Sequence, residues 1–246
     1  MKSLTLFEAS THKWIVLGRD AEKPEKIIDT NQYLIQTADA AMILDPGGVE
    51  LFAPMLAAIL KEIPLHKVTH LFASHQDPDI ISSLGLWDEV LKNATLYCPW
   101  LWEGFVRHFG MNSIKFAAIE DRGGRMALGP LELEFVPAHY LHSSGNIHVY
   151  DSLSGILFCG DVGAALEPPE APMFVENFEE HIPKMRYFHQ RWMPSNEAKQ
   201  HWIRRVRKLK ITMLCPQHGR IFRGEQVNQF LDWFEGLEVG LGNFNG

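Results

Sequence analysis

Cysteine is scarce in this chain of 246 residues, and its few cysteines form no recognisable pattern. Cys98, Cys159 and Cys215 stand far apart, make no CxxC pair and are odd in number. Small secreted domains are commonly cross-linked by an even set of cysteines, whereas thiols stay reduced in the cytosol. We therefore expect no disulfide framework and a reducing, cytoplasmic setting.

Long apolar runs and an excess of basic residues are missing as well. No stretch approaches the roughly 18 to 20 apolar residues that span a bilayer, and Glu8 comes too early for a secretory signal peptide. The 30 acidic residues outnumber the 23 basic ones, which gives a formal net charge of −7. Such a balance offers no general attraction to nucleic-acid phosphates. We expect neither a membrane protein nor a nucleic-acid-binding protein.

Short strands and helices alternate along the chain. Apolar and β-branched runs that end at turn residues predict strands at 13–17, 32–36, 41–44, 69–73, 95–98, 114–119, 131–136, 147–150, 156–159 and 211–214. Apolar residues at helical spacing predict helices at 49–61, 80–91, 100–109, 178–190, 196–209 and 226–234. This order indicates the α/β class. We expect one domain over residues 1–246, an αββα sandwich with two sheets between helices.

Four of the predicted strands end in loops that carry metal-binding types of side chain. These loops begin after residues 73, 136, 158 and 214. Their candidate side chains are His75, Asp77, Asp79, His142, Asp161 and His218. Loops at strand ends are where α/β scaffolds place their sites, because the rigid sheet fixes the loop roots.

The chemistry of these six groups favours metal binding. Three carboxylates in one pocket repel one another at neutral pH unless cations neutralise them. Three imidazoles complete a set in which every member becomes a ligand once it is deprotonated. Six ligands exceed what one four-coordinate metal needs, whereas two metals that share one carboxylate would use all six.

Simpler interpretations exist for each residue taken alone. A single histidine at a strand end is usually a surface or hydrogen-bonded core residue, and Asp77 and Asp79 beside Pro78 also fit helix N-caps. The coincidence at four strand ends favours the metal site for the set. His139 is three residues before His142, and its spacing fits a hydrogen-bonding support of a ligand and a surface histidine equally well.

The pattern His75-x-Asp77-x-Asp79, followed at long intervals by His142, Asp161 and His218, resembles the metallo-β-lactamase fold. Within that superfamily it resembles the flavodiiron proteins and, more closely, their stand-alone relatives, the oxygen-binding di-iron proteins. The turn Asp-Pro-Gly-Gly at 45–48 and the stretches 141–146 and 156–161 support the resemblance.

The resemblance implies two iron ions and a role for each ligand. His75, Asp77 and His142 would hold one iron, Asp79 and His218 the other, and Asp161 would bridge them. No catalytic residue beyond these ligands is implied.

Two positions depart from the flavodiiron pattern, which has a glutamate at position 77 and a histidine at position 80. Here Asp77 is one methylene shorter and Ile80 cannot ligate, so the second metal has three protein ligands, which does not favour efficient reductase turnover.

The zinc hydrolases of the superfamily carry His-x-His-x-Asp-His, whose second and third histidines correspond to Asp77 and Ile80. More oxygen and fewer imidazole ligands suit iron better than zinc. A zinc hydrolase of an ester, thioester or lactone remains the alternative.

The resemblance implies that the chain binds or reduces O2, or a similar diatomic such as NO. It would act as an oxygen sensor or as an oxidoreductase, and the sequence leaves open which. Flavodiiron enzymes carry a flavodoxin domain after the metal domain, and this sequence shows no flavin-phosphate loop after His218. We expect no FMN in this chain and a separate electron donor or signalling partner. A homodimer is among the oligomeric states that the sequence leaves open.

Overall fold

The computed structural model describes residues 1, 3–20, 22–23 and 26–242, in which two β-sheets lie face to face. The first sheet has seven strands in sequence order: β1 Ser3–Glu8, β2 His12–Leu17, β3 Gln32–Thr37, β4 Ala41–Leu44, β5 Val68–Phe72, β6 Thr95–Pro99 and β7 Lys115–Ile119. Strands β1 to β4 pair antiparallel, and β4 to β7 pair parallel.

The second sheet has six strands in the order β13-β12-β11-β10-β9-β8. They are β8 Gly124–Leu128, β9 Leu131–Pro137, β10 Ile147–Asp151, β11 Ile156–Phe158, β12 Met213–Cys215 and β13 Phe222–Arg223. Strands β8 to β11 pair antiparallel, whereas β11 and β12 run parallel because two long helices separate them in the chain.

Seven α-helices occur in the described part of the chain. They are α1 Phe52–Glu62, α2 Pro78–Ile81, α3 Leu84–Val90, α4 Glu103–Val106, α5 Phe178–Trp192, α6 Asn196–Val206 and α7 Glu225–Gly236. Among these helices, none combines the length and apolar character that crossing a bilayer requires.

Successive side chains of a strand face opposite sides of its sheet, and this alternation explains how the sheets and helices pack in layers. In β2, Trp14 and Val16 point to the apolar cluster between the two sheets, whereas Ile15 and Leu17 point to the cluster shared with α1 and α3. A strand whose successive side chains face opposite sides can be buried on both faces only if each face is covered. A third cluster joins the second sheet to α5, α6 and α7. The expected αββα sandwich is confirmed.

Several elements differ from the sequence prediction. Strands β1, β8 and β13 were not predicted, and the helix expected at 80–91 is two short helices. Ser83 lies at the break, where its one hydroxyl hydrogen is shared between the carbonyl oxygens of Pro46 and Gly47 and its N–H donates to the carbonyl of Gly47. These tertiary hydrogen bonds replace the continuous helix. The segment at 100–109 is likewise divided into a 3-10 turn, α4 and a second 3-10 turn, which ends at Gly110 with a φ of +83°.

Strand register places the candidate loops at one edge of the sandwich. Phe158 of β11 lies opposite Cys215 of β12, and Asp161 and His218 each follow their strand residue by three positions. His75 likewise follows the end of β5 at Phe72 by three positions. Parallel strands present the same end at the same edge of a sheet, so the loops of Asp161 and His218 are neighbours. The loop of His75 meets them from the first sheet.

Candidate metal centre

All six predicted ligand side chains meet at this edge. One group forms around a single oxygen of Asp161. Its Oδ2 atom lies 2.8 Å from Nε2 of His142 and 3.2 Å from Nε2 of His75. Oδ2 of Asp77 completes the group at 3.2 Å from His142 and 3.5 Å from His75. The ligand atoms of these four residues all lie within 4.8 Å of one another, which suits a single metal ion.

A second group forms around the other oxygen of the same carboxylate. Oδ1 of Asp161 lies 3.2 Å from Nε2 of His218, and the same nitrogen lies 3.3 Å from Oδ2 of Asp79. Asp161 therefore stands between the two groups and presents one oxygen to each. This arrangement suits two metals that share a bridging carboxylate.

Hydrogen bonds on the far side of two imidazoles leave Nε2 free to ligate. The hydroxyl of Ser74 donates to Oδ2 of Asp45 at 2.8 Å, and its only hydrogen is thereby used. The hydroxyl must therefore accept from Nδ1–H of His75, 2.9 Å away. Nδ1–H of His218 donates to the backbone carbonyl of Asp29 at 2.9 Å. In the neutral form both rings then carry their lone pair on Nε2, as metal-binding histidines do.

Asp77 occupies the N-cap position of α2, directly before Pro78, yet its side chain makes no capping hydrogen bond. An N-cap aspartate ordinarily accepts from the second or third N–H of its helix. Here the carboxylate faces His75 and His142 instead. The capping interpretation of Asp77 therefore does not account for its orientation.

The charges in the site shift the pKa values of the ligands strongly. Burial lowers the pKa of His75, but the carboxylates of Asp161 and Asp77 outweigh burial and raise the pKa to about 10. Burial likewise lowers the pKa of His142, but the same two carboxylates outweigh burial and raise it to about 9. Burial alone would raise the pKa of Asp161, but the three facing imidazoles hold it well below its usual range. Without metal, protons on the imidazoles therefore balance the carboxylate charge at neutral pH.

The donor set fits two divalent cations such as ferrous ions. Among the described side chains, Nε2 of His75 and Oδ1 of Asp161 are buried without a hydrogen-bond partner, although a buried polar atom is normally paired. The set offers nitrogen and oxygen only, because the nearby thiol of Cys159 donates to the carbonyl of Val162. Imidazole and carboxylate together suit non-haem iron, and the soft thiolates that select Cu(I) or iron–sulfur clusters take no part.

Two aromatic rings of α5 lie against the imidazoles. The ring of Phe188 has its centroid 6.3 Å from those of His142 and of His218. Trp192 stacks on Phe188 and meets His142 edge to face at 5.4 Å. Phe188 is buried and Trp192 is half exposed. The site therefore has an apolar wall on this side, while Asp77 and Asp79 are partly exposed.

Other histidines and Ile80 lie elsewhere. Nε2 of His139 lies 2.7 Å from the carbonyl oxygen of Asp121, so the structure gives this side chain a backbone partner outside the ligand cluster. His148 accepts from Trp202, and His189 accepts from the N–H of Gly163. Ile80 is fully buried in the apolar cluster that α1 shares with the first sheet.

Sequence reasoning missed residues that support the ligands. Ser74 and Asp45 fix the ring of His75, and Gln76 and Gln217 hydrogen-bond to ligand carboxylates. Each glutamine is next to a ligand histidine in sequence, which is the one signal that could have identified them. Phe188 lies far from every ligand in sequence and offered no such signal.

The chain matches a family model and several solved structures over most of its length. The sequence pattern described as ODP family beta lactamase matches residues 28–219, which is most of the chain. The chain belongs to this family. Its fold is the metallo-β-lactamase fold. A flavodiiron protein from Giardia intestinalis matches this fold with a TM-score of 0.80 and 16% sequence identity, over 94% of this chain and 58% of that chain.

Two solved structures of greater similarity carry more specific descriptions. One, "Peroxy diiron species of chemotaxis sensor ODP", is 38% identical over 98% of this chain and 97% of that chain, with a TM-score of 0.86. The other, "Apo state of chemotaxis sensor ODP from T. denticola", is 39% identical over 97% of this chain and 96% of that chain, with a TM-score of 0.87. No curated protein sequence matches the chain.

Proposed function

We propose that the chain holds two iron ions, with His75, Asp77 and His142 on the first and Asp79 and His218 on the second. Asp161 would bridge the two irons. The observation that carries this proposal is the division of the Asp161 carboxylate, whose two oxygens face different imidazoles at 2.8 and 3.2 Å. The 38% identical relative described as a di-iron species supports iron as the metal.

We propose further that the site binds O2, or a similar diatomic such as NO, and that this binding senses oxygen for a signalling partner. Two ferrous ions, when bound, can supply the two electrons that O2 needs for a two-electron reduction. Membership of a family whose solved relatives are described as chemotaxis sensors favours sensing over turnover. A separate protein would supply the electrons that reset the site.

The residues of the chain would prepare this chemistry in three ways. Ser74 and the carbonyl of Asp29 hold His75 and His218 with Nε2 directed into the site. The carboxylates of Asp77, Asp79 and Asp161 neutralise much of the charge that two divalent cations bring. Phe188 and Trp192 limit access of water from the side of α5, which keeps the local dielectric low.

The whole chain would act as one domain in the cytoplasm. Its two sheets share one apolar cluster, and its ligands come from both of them. The three cysteines are buried free thiols, and burial raises the pKa of each, which suits a reducing compartment.

The test is the response of the anaerobic ferrous protein to O2. The protein is loaded with iron under nitrogen, mixed with O2 in a stopped-flow spectrometer and followed in the visible range. A rapid absorbance change without sustained O2 consumption is expected, and Asp161→Asn should abolish it while the exposed His201→Gln should not. Absence of any O2 response, together with chelator-sensitive cleavage of an ester by the zinc-loaded protein, would contradict the proposal in favour of a hydrolase.

A further inference from the structure

Two glutamines contact the ligand carboxylates in different ways. Gln76 donates from Nε2 to Oδ1 of Asp77 at 3.0 Å, whereas the oxygen that faces the imidazoles is Oδ2. Gln217 donates from Nε2 to Oδ2 of Asp79 at 3.2 Å, and that same oxygen lies 3.3 Å from His218. One amide therefore binds the outward oxygen of its carboxylate, and the other binds the inward one.

Gln76 is held in place from both sides. Its Oε1 accepts from the hydroxyl of Ser143 at 2.7 Å, and Ser143 directly follows the ligand His142. An ionised carboxylate only accepts hydrogen bonds, so the amide must turn its NH2 toward Asp77 and its oxygen toward Ser143. Gln76 thereby links the loop of His75 and Asp77 to the loop of His142, and it leaves Oδ2 of Asp77 free for metal.

Hydrogen bonds fix the backbone of Gln217, but among the described residues only one of the two polar atoms of its side-chain amide has a partner. Its backbone N–H donates to Gly160 at 2.7 Å, and its carbonyl accepts from Asn31 at 2.5 Å. Its side chain is fully buried, and within the described residues its Oε1 has no hydrogen-bond partner. A buried amide placed only for packing or folding would normally pair at both ends. The contact to Asp79 is therefore the one use that the structure gives this side chain.

The two contacts have opposite consequences for metal affinity. A hydrogen bond to the ligating oxygen stabilises the free carboxylate and lowers its basicity, which weakens its bond to a cation. A hydrogen bond to the other oxygen orients the carboxylate and removes the entropy cost of ordering it, which favours metal binding.

We infer that Gln76 and Gln217 are positioning residues that set the two metal affinities apart. Gln76 tightens the site of His75, Asp77 and His142, and Gln217 loosens the site of Asp79 and His218. This inference rests on the proposed two-metal function. It adds that one site binds metal tightly and the other is labile, and that a different glutamine sets the metal affinity of each.

The test is stepwise titration of the metal-free protein with Co²⁺ against a chromophoric chelator, which gives two dissociation constants. Visible Co²⁺ spectra of Asp77→Asn and Asp79→Asn assign each constant to its site. Methionine matches the length of glutamine without its donor. Gln76→Met should raise the dissociation constant of the tight site about tenfold, the lower end of what the loss of a supporting contact costs. Gln217→Met should lower the dissociation constant of the labile site severalfold. Gln229→Met, on the exposed face of α7, is the matched control.

The two variants are expected to change metal affinity in opposite directions, and this difference separates a positioning role from a general structural role. A structural defect would weaken both sites, so a loss of affinity in Gln217→Met would overturn the inference. Gln217→Leu provides a second variant if methionine disturbs the buried position, and circular dichroism checks the fold of each. A wild-type chain that binds fewer than two Co²⁺ ions would refute the proposed function. Two ions with constants that neither glutamine variant changes would refute this inference alone.

Discussion

The indole of Trp192 meets the imidazole of His142 edge to face, with ring centroids 5.4 Å apart. Trp192 is half exposed at the end of α5, and it stacks on Phe188. This contact places a fluorescent side chain next to a proposed ligand of the first iron.

The first prediction uses this contact as a reporter. Binding of Co²⁺ to His142 should quench the emission of Trp192, because an open-shell ion would lie one ring away. Trp192→Phe should therefore remove most of the change in tryptophan fluorescence during a metal titration. Trp100→Phe, a similarly exposed tryptophan that donates to Asp121, should leave the change in place. Equal quenching in wild type and Trp192→Phe would show that metal does not bind at His142.

The second prediction concerns the bridge. Because each oxygen of Asp161 faces a different imidazole, Asp161→Asn should weaken both metals, whereas Asp79→Asn should weaken only one. Elemental analysis after dialysis against a mild chelator should give about one metal in Asp79→Asn and clearly less in Asp161→Asn, since a site that lacks a carboxylate retains uncompensated cation charge. Retention of two metals by Asp161→Asn would exclude the bridging role.

The third prediction follows from the raised pKa values of the imidazoles. The pKa values of His75, at about 10, and of His142, at about 9, keep both rings protonated at pH 7 in the metal-free protein, and the pKa of His218 is also well above its usual range. Loading both metals at pH 7 should then release about three protons, and affinity should rise with pH until about 10. Calorimetry in buffers of different ionisation enthalpy counts these protons. Binding that releases none would contradict the ligand assignment.

The fourth prediction concerns stability at acid pH. Burial lowers the pKa of His148 to about 3, while the unfolded chain takes up the proton near 6.5. Between these values the unfolded state binds more protons, so the free energy of unfolding falls as pH falls. The loss from this residue between pH 6.5 and 5 should be about 1.6 kcal/mol.

Urea unfolding of the metal-free protein at several pH values measures this slope. His148→Gln keeps an acceptor for Trp202 but cannot titrate, so its unfolding free energy should depend less steeply on pH. The exposed His201→Gln should keep the wild-type slope. A slope that is the same in wild type and His148→Gln would show that the buried ring does not stay neutral.

The sequence predicted the αββα layers because short apolar runs that end at turn residues and apolar residues at helical spacing are local patterns. Residues 14–17 form a continuous apolar run, which is typical of a strand buried on both faces, and Trp14 and Ile15 do face different apolar clusters. Strand β1 was missed because it is an edge strand whose residues are mostly exposed. The division between α2 and α3 was missed because Ser83 bonds to Pro46 and Gly47, a contact between distant parts of the chain.

The candidate ligands were predictable because each lies in a loop that follows a predicted strand, where α/β scaffolds place their sites. Their partners were not, because a hydrogen bond such as Ser143 to Gln76 depends on how two loops approach each other in space. The same reason explains Phe188, which reaches His142 and His218 only once α5 packs across the second sheet.

The central claim is that Asp161 joins two iron sites in one chain, and metal analysis of protein purified without added metal tests it most directly. The protein is produced with ample iron, handled under nitrogen and measured for iron and zinc per chain. The account predicts about two metals per chain, with iron in excess, as expected for a nitrogen and oxygen donor set that serves O2 chemistry. Two zinc ions without iron, or a single metal per chain, would contradict it.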